Sequence, residues 1–208
     1  MPKRTQTPLL PKALALALRR HVPHTGRFIL SVTVSTQTMW LFEKARATGP
    51  GAPAPEYRPR QRYLVSTSAF GIGQTINSNR TPLGLHRIAK KIGAGLPTGT
   101  VFRSRQPIGL TWKGLPAATI AHRILWLEGL EPGRNRGGEV DTFRRYIYIH
   151  GTPEMNRLGS PASYGCIRMG CRDVVDLYNR VGQGADVYVV RGSLPSSSAP
   201  RTNNLVAR

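Results

Sequence analysis

Cysteine is scarce in this sequence, with only Cys166 and Cys171 in 208 residues. Two thiols cannot build a disulfide framework, and a bridge between these two would close a very small loop. The five histidines (His21, His24, His86, His122 and His150) are scattered, and none stands near a carboxylate at ligand spacing. The sequence therefore carries no metal signature. No apolar run approaches the length needed to span a membrane. Acidic residues are few as well: Asp+Glu number 10 against Lys+Arg 30, a formal charge of +20. Only six of those basic residues are lysines, so arginine dominates. Its planar fork suits bidentate contact with carboxylates and phosphates. An anionic partner is implied, whether nucleic acid, an acidic membrane surface or a carboxylate-rich polymer. A merely solvated basic surface is the plain alternative. Aromatic residues make up 7%, thin for a base-stacking platform, and no nucleic-acid motif is present. Specific nucleic-acid binding is not expected.

Glycine and proline are plentiful, at 22 and 17. With a single convincing amphipathic helix, they point to a mainly β chain with many turns. Three parts are expected: a basic extension over 1–26, one domain over 27–192 and a low-complexity tail over 193–208. The extension starts basic and has an apolar patch from Ala13 to Leu18, but Arg19 and Arg20 stand where a cleavage site should be. A short basic amphipathic helix, resting on the domain or on a membrane surface, is the other reading.

Within the domain, Phe28–Val34 and Thr38–Glu43 read as a hairpin. Thr48–Arg60 is a Pro/Gly-rich loop unsuited to a central strand. A strand begins near Gln61, and a glycine-rich loop from Gly71 leads to another strand over Leu85–Ile92. Residues 94–107 read as loop. Further strands are expected at Ile108–Trp112 and Ala121–Leu127, then a long polar loop at Glu128–Thr142, which suggests a substrate wall. "RRYIYIH" is a strand ending at His150. Val174, Leu177, Tyr178 and Val181 have helical spacing, with a stop at Gly182 or Gly184, and Ala185–Gly192 is the last strand.

Chemistry concentrates around Cys166, in Gly165-Cys166-Ile167-Arg168. The glycine permits an unusual φ. Arg168 supplies a positive charge that favours thiolate. His150, if it packs against the thiol, can take its proton or pair with it. Its orienting partner is either Glu154 or the Gly151 carbonyl. The amides of Tyr164, Gly165 and Cys166 offer an oxyanion hole. A buried structural cysteine beside an unrelated histidine is the competing explanation, and it suits Cys171 better. His86 and His122, within strand-like runs, read as packing or surface residues.

The stretch "HGTPEMNRLGSPASYGCIRM" resembles the active-site motif of the L,D-transpeptidases with the YkuD-type domain. His150 and Gly151 open the motif; Ser163, Gly165, Cys166, Ile167 and Arg168 close it. The hairpin, the Thr81-Pro82-Leu83-Gly84 segment and the closing helix and strand extend the resemblance over about 165 residues. It implies a β-sandwich of mixed and antiparallel strands with few short helices. It also implies peptidoglycan chemistry without a cofactor. Cys166 would be the nucleophile, His150 the general base and the Gly151 carbonyl its orienting group. Arg168 would hold a substrate carboxylate or support the turn, and Ser163 would hydrogen-bond within the site, with Tyr164 and Gly165 beside it. The implied partners are anionic stem peptides, with acylation by carbapenems and a monomeric state. The implied setting is the cell envelope or periplasm, although the N-terminus is not a convincing export signal. Tyr164 departs from the histidine usual at its position. The rival readings are an L,D-carboxypeptidase, an inactive wall-binding module and, from another class, a basic nucleic-acid-binding protein.

Overall fold

The protein is seen here in a computed structural model, which describes residues 10, 12–22, 25–45, 57–114 and 120–192. The expected tail over 193–208 and most of the Thr48–Arg60 loop lie outside these residues.

The chain runs through α1 (Lys12–His21), β1 (Phe28–Thr33), β2 (Thr38–Lys44), β3 (Tyr57–Ser66), β4 (Gly84–Ile92), β5 (Thr100–Arg103) and β6 (Gln106–Leu110). Then come β7 (Ala121–Gly129), β8 (Tyr148–Gly151), β9 (Ile167–Met169), α2 (Cys171–Arg180) and β10 (Asp186–Val190). Hydrogen bonding follows the order β4-β10-β1-β2-β3-β9-β8-β7, and β4 also pairs with β7. The strands therefore close on themselves into a sandwich-like barrel, and the β5–β6 hairpin hangs from β7. Most pairs are antiparallel; β1–β10 and β8–β9 are parallel.

Apolar side chains from alternate positions of the strands fill the interior, among them Leu30, Val32, Leu41, Ile88, Leu125, Ile149 and Val187. Helix α2 adds Val174, Leu177, Tyr178 and the following Val181 to the same core, the face its spacing predicts. The helix stops at Arg180, before Gly182, and Lys91 Nζ donates to the terminal carbonyls of Tyr178 and Val181, both at 2.6 Å. A second cluster forms where Leu14 and Leu18 of α1 meet Ile29, Leu85 and Tyr188. The basic helix thus rests on the domain. No helix among the described residues is long and apolar enough to cross a membrane.

Four expectations need correction. Tyr57–Arg60 is strand rather than loop, because a bulge at Arg60 of β3 sets Pro59 opposite Phe42 of β2. Among the described residues β3 has no second strand neighbour at that end, since β9 pairs only with Val65 and Ser66. Thr100–Arg103 is a strand within the expected 94–107 loop. Its hairpin turns on Ser104 and Arg105 at φ 47° and 69° without the usual Asn or Gly signal. The strand expected at Ile108–Trp112 ends at Leu110 and gives way to a 3-10 turn over Thr111–Lys113. The strand expected over Arg144–His150 begins only at Tyr148, because the Arg145 and Tyr146 amides bond back to Asp141 and Phe143 in a turn; strand β9 has only three residues, too few to show a period.

Three buried groups tie stability to pH. Burial lowers the pKa of both His86 and His150 to about 4, so each stays neutral in the fold. Both take up protons on unfolding, and this stability is lost as pH falls from about 6.5 toward 4. Asp186 acts oppositely. Its nearest cation, Arg87, lies 3.6 Å away, and burial raises its pKa to about 6. Its protonated form is retained on folding, so its contribution shrinks as pH rises through that window. Two groups against one predict net destabilisation on acidification from pH 7 to 4.5 in urea titrations. The Asp186→Asn variant should show a steeper loss, and a flat profile in both proteins would contradict this assignment.

Candidate active site

The parallel pairing of β8 and β9 sets Ile149 opposite Ile167 and His150 opposite Arg168. The two isoleucines enter the main core. Alternation along a strand then sends Tyr148, His150 and Arg168 to the other face, together with Cys166 one step before β9. Cys166 packs against Phe102, Ile124, Trp126 and Tyr148. The Tyr148 amide donates to its sulfur at 3.4 Å, and the thiol can donate to the Tyr146 carbonyl at 3.5 Å. His150 thus lies on the same face as Cys166, two residues along β8 from the amide that holds the sulfur.

The turn before the sulfur is clamped from two sides. Gly165 has φ +116°, and a Cβ there would meet Ile147 Cδ1 at 3.1 Å and the Arg80 carbonyl at 3.3 Å. Glycine is required on both counts. Ser163 Oγ donates to the Cys166 carbonyl at 2.6 Å and accepts from the Gly165 amide at 3.2 Å. Thr81 Oγ1 donates to the Gly165 carbonyl and accepts from the Ser68 amide, each at 3.0 Å. One hydroxyl therefore links the end of β3, the glycine-rich loop and the cysteine turn.

His150 is buried, with Nδ1 2.9 Å from the Gly151 carbonyl. A carbonyl only accepts, so Nδ1 carries the proton and Nε2 is left as a base. Gly151 tolerates no side chain, since a Cβ would lie 2.6 Å from both the Ala121 carbonyl and His122 Cδ2. Glu154 does not orient the imidazole. It bonds Nη1 of buried Arg168 and approaches Arg157 at 3.8 Å.

Burial raises the Cys166 thiol to about 11, against the opposing pull of the Tyr148 amide, Arg168 and Arg145. Burial likewise holds His150 near 4, with Arg168 adding to the effect and the Gly151 bond opposing it. The expectation that Arg168 tips the balance to thiolate is therefore corrected: desolvation outweighs it. At neutral pH both groups are uncharged, so a proton would move only as the sulfur attacks.

Residues 27–189 match the YkuD family, the L,D-transpeptidase catalytic domain. The chain belongs to that family. No curated protein matches the sequence. Among solved structures, Bd1075 of Bdellovibrio bacteriovorus is 10% identical with a TM-score of 0.52, over 93% of this chain and 54% of that one. An L,D-transpeptidase from Mycobacterium smegmatis is 12% identical with a TM-score of 0.45, over 79% of this chain and 58% of that one. L,D-transpeptidase 3 from Mycobacterium tuberculosis, in complex with a faropenem-derived adduct, is 18% identical with a TM-score of 0.45, covering 78% and 60%. The chain thus spans 54–60% of the length of these three proteins. At such identities the likeness concerns the fold alone.

In this L,D-transpeptidase domain Tyr164 is 68% exposed, and its ring leans on that of Phe70 with centroids 5.5 Å apart. It walls a cavity of about 210 Å³ together with Asn77, Asn79, Arg144 and Tyr146. Arg145 went unnoticed in the sequence. It donates to the carbonyls of Gly73 (3.2 Å), Gln74 (2.8 Å) and Arg80 (2.6 Å) and to Ser78 Oγ (3.3 Å), holding the glycine-rich loop against the site. Nothing in "RRYIYIH" separates it from exposed Arg144. His86 and His122 are packing residues; His122 Nδ1 accepts from the Gly99 amide at 2.9 Å. Cys166 and Cys171 are both free.

The neutral pair has a direct chemical readout. In a Cys171→Ser background, iodoacetamide should alkylate Cys166 slowly at pH 7 and faster with rising pH beyond 9, without a plateau near neutrality. A rate already saturated at pH 7 would mean a resting thiolate.

Proposed function

We propose that this protein is a peptidoglycan L,D-transpeptidase. The reading rests chiefly on Cys166 and His150 lying on one face of the β8–β9 pair, with Nδ1–H on the Gly151 carbonyl and Nε2 free. Cys166 is the nucleophile and His150 the general base. The donor is a tetrapeptide stem, cleaved after its third residue. As Sγ attacks that carbonyl, its proton passes to His150 Nε2. Because the Gly165 amide already serves Ser163, the amides of Tyr164 and Cys166 are those available to the oxyanion. The C–N bond breaks, D-alanine leaves with the proton from His150, and a thioester remains. The side-chain amine of a second stem attacks the thioester, His150 takes its proton, and the thiol is restored with a 3→3 cross-link formed. Ser163 and Gly165 shape the turn, while Arg168 supports it through Glu154. No metal or organic cofactor enters these steps. Cross-linking places the work in the cell envelope, on an anionic polymer suited to a protein of charge +20.

Hydrolysis of the same thioester would make the enzyme an L,D-carboxypeptidase, and a wall-binding module would leave the stem intact. Incubation with tetrapeptide-rich muropeptides separates these by mass spectrometry. Cross-linked dimers are expected from wild type and none from Cys166→Ala; free tripeptides alone would mean a hydrolase, and unchanged stems would sink both activities. Tyr164 is exposed and contributes no proton to these steps. Wild type should therefore take up one carbapenem on Cys166, and Tyr164→His should change the acylation rate by less than about tenfold. Acylation only in the histidine variant would show that an imidazole at this position is essential.

A further inference from the structure

The tip of the β5–β6 hairpin carries a guanidinium toward the nucleophile. The left-handed pair Ser104 and Arg105 turns the chain so that Arg105 lies over the aromatic cluster beside Cys166. Its guanidinium carbon is 4.9 Å from the Trp126 ring centre and 5.1 Å from that of Tyr146. Its Nη1 donates to the Tyr148 hydroxyl at 3.3 Å. Tyr148 is also the residue whose amide holds the Cys166 sulfur. Trp126 is itself fixed, stacked on Phe143 at 4.0 Å and donating Nε1–H to the Phe143 carbonyl at 3.1 Å. The guanidinium is therefore oriented by its aromatic neighbours, while most of its N–H edge is unbonded to the described residues.

What such an edge accepts is a carboxylate or another planar anion. Among the described residues no carboxylate pairs with Arg105, and the residue is only partly buried. In a chain with thirty basic and ten acidic residues, lack of a partner alone would decide little. The position decides it: one tyrosine side chain separates this cation from the backbone that holds the sulfur. Arg168, closer in sequence to Cys166, is 4% exposed and bonded to Glu154, so it offers no free edge. Lys90 adds a second positive charge to the cluster, 5.7 Å from the Trp126 ring, which it shares with Arg105, and 5.8 Å from that of Phe143.

We infer that Arg105 is a carboxylate receptor of the active site and sets its preference for anionic acyl donors. This rests on the transpeptidase reading, in which the donor is a stem peptide. A stem offers two carboxylates near the attacked bond: the C-terminal one on the leaving residue, and the free one on the diamino-acid side chain. The carboxyl carbon of a leaving residue lies within about 4 Å of the attacked carbonyl, so it falls beside Tyr148 when the sulfur attacks.

The test uses three synthetic tetrapeptide donors: one unmodified, one amidated at the C-terminus and one amidated on the side-chain carboxylate. Acyl transfer is measured with wild type, Arg105→Ala and Arg105→Lys, and binding by calorimetry in the Cys166→Ala protein with and without Arg105→Ala. Arg105→Ala should raise KM for the unmodified donor by about 10- to 100-fold with little change in kcat, as loss of a charged hydrogen bond does. Arg105→Lys should fall between. Wild type should discriminate against one amidated donor by a similar factor, and Arg105→Ala should not; the donor concerned identifies which carboxylate is held. The inference is overturned if Arg105→Ala binds and discriminates as its parent does, or if the unmodified donor does not bind when Arg105 is present. If binding depends on Arg105 but wild type turns over no donor, the inference stands and the transfer reading fails instead.

Discussion

The candidate site depends on the parallel ladder between β8 and β9. A shift of one residue along β8 would turn His150 into the core and Ile149 out of it, and along β9 it would do the same to Arg168 and Ile167. Such a slip is resisted because Ile149 and Ile167 are both fully buried in the main core, and exposing them would forfeit a few kcal/mol of apolar burial. The same register brings Arg168 level with His150 and seats the Cys166 sulfur on the Tyr148 amide. Antiparallel β7, on the other flank of β8, meets Gly151 so closely that only glycine fits. The backbone thus fixes the imidazole tautomer through its own carbonyl, without needing a carboxylate.

The electrostatics follow from this burial. Cys166 and His150 are neutral at rest because desolvation opposes either charge. Around them the protein sets fixed cations: Arg168 held by Glu154, Arg145 anchored on loop carbonyls and Arg105 on aromatic faces. These charges weigh little on a neutral pair. They matter once negative charge develops on the sulfur or on a bound substrate, where preorganised positive groups in a poorly hydrated setting act strongly.

The loops around the site are held chiefly by polar contacts. The glycine-rich segment between β3 and β4 is secured by Thr81, Arg145 and the Glu139 carbonyl, which accepts from the Ile76 amide at 2.7 Å. The Glu128–Thr142 loop, expected as a substrate wall, also braces the start of β4. Glu131 accepts from the Leu85 amide at 2.5 Å, and Asn135 donates to the Leu85 carbonyl at 3.0 Å. It supports the segment that in turn supports Gly165.

From its own pattern the sequence determined the hairpin of Phe28–Val34 and Thr38–Glu43, the apolar face of α2, and the Gly-Cys turn with His150 at a strand end. These are local features, written in alternation, helical spacing and one glycine that must adopt a positive φ. The rest was not legible because it depends on what meets what. Tyr57–Arg60 became strand only because a bulge at Arg60 of β3 sets Pro59 opposite Phe42 of β2. Thr100–Arg103 became strand although its turn residues, Ser104 and Arg105, are poor candidates for left-handed backbone. Arg145 and Arg105 look like any other arginine in a basic chain until the fold sets one on loop carbonyls and the other on Trp126. The charge state of the Cys166–His150 pair was likewise a tertiary matter: neighbours in sequence suggest a thiolate, and burial by residues distant in sequence keeps it a thiol.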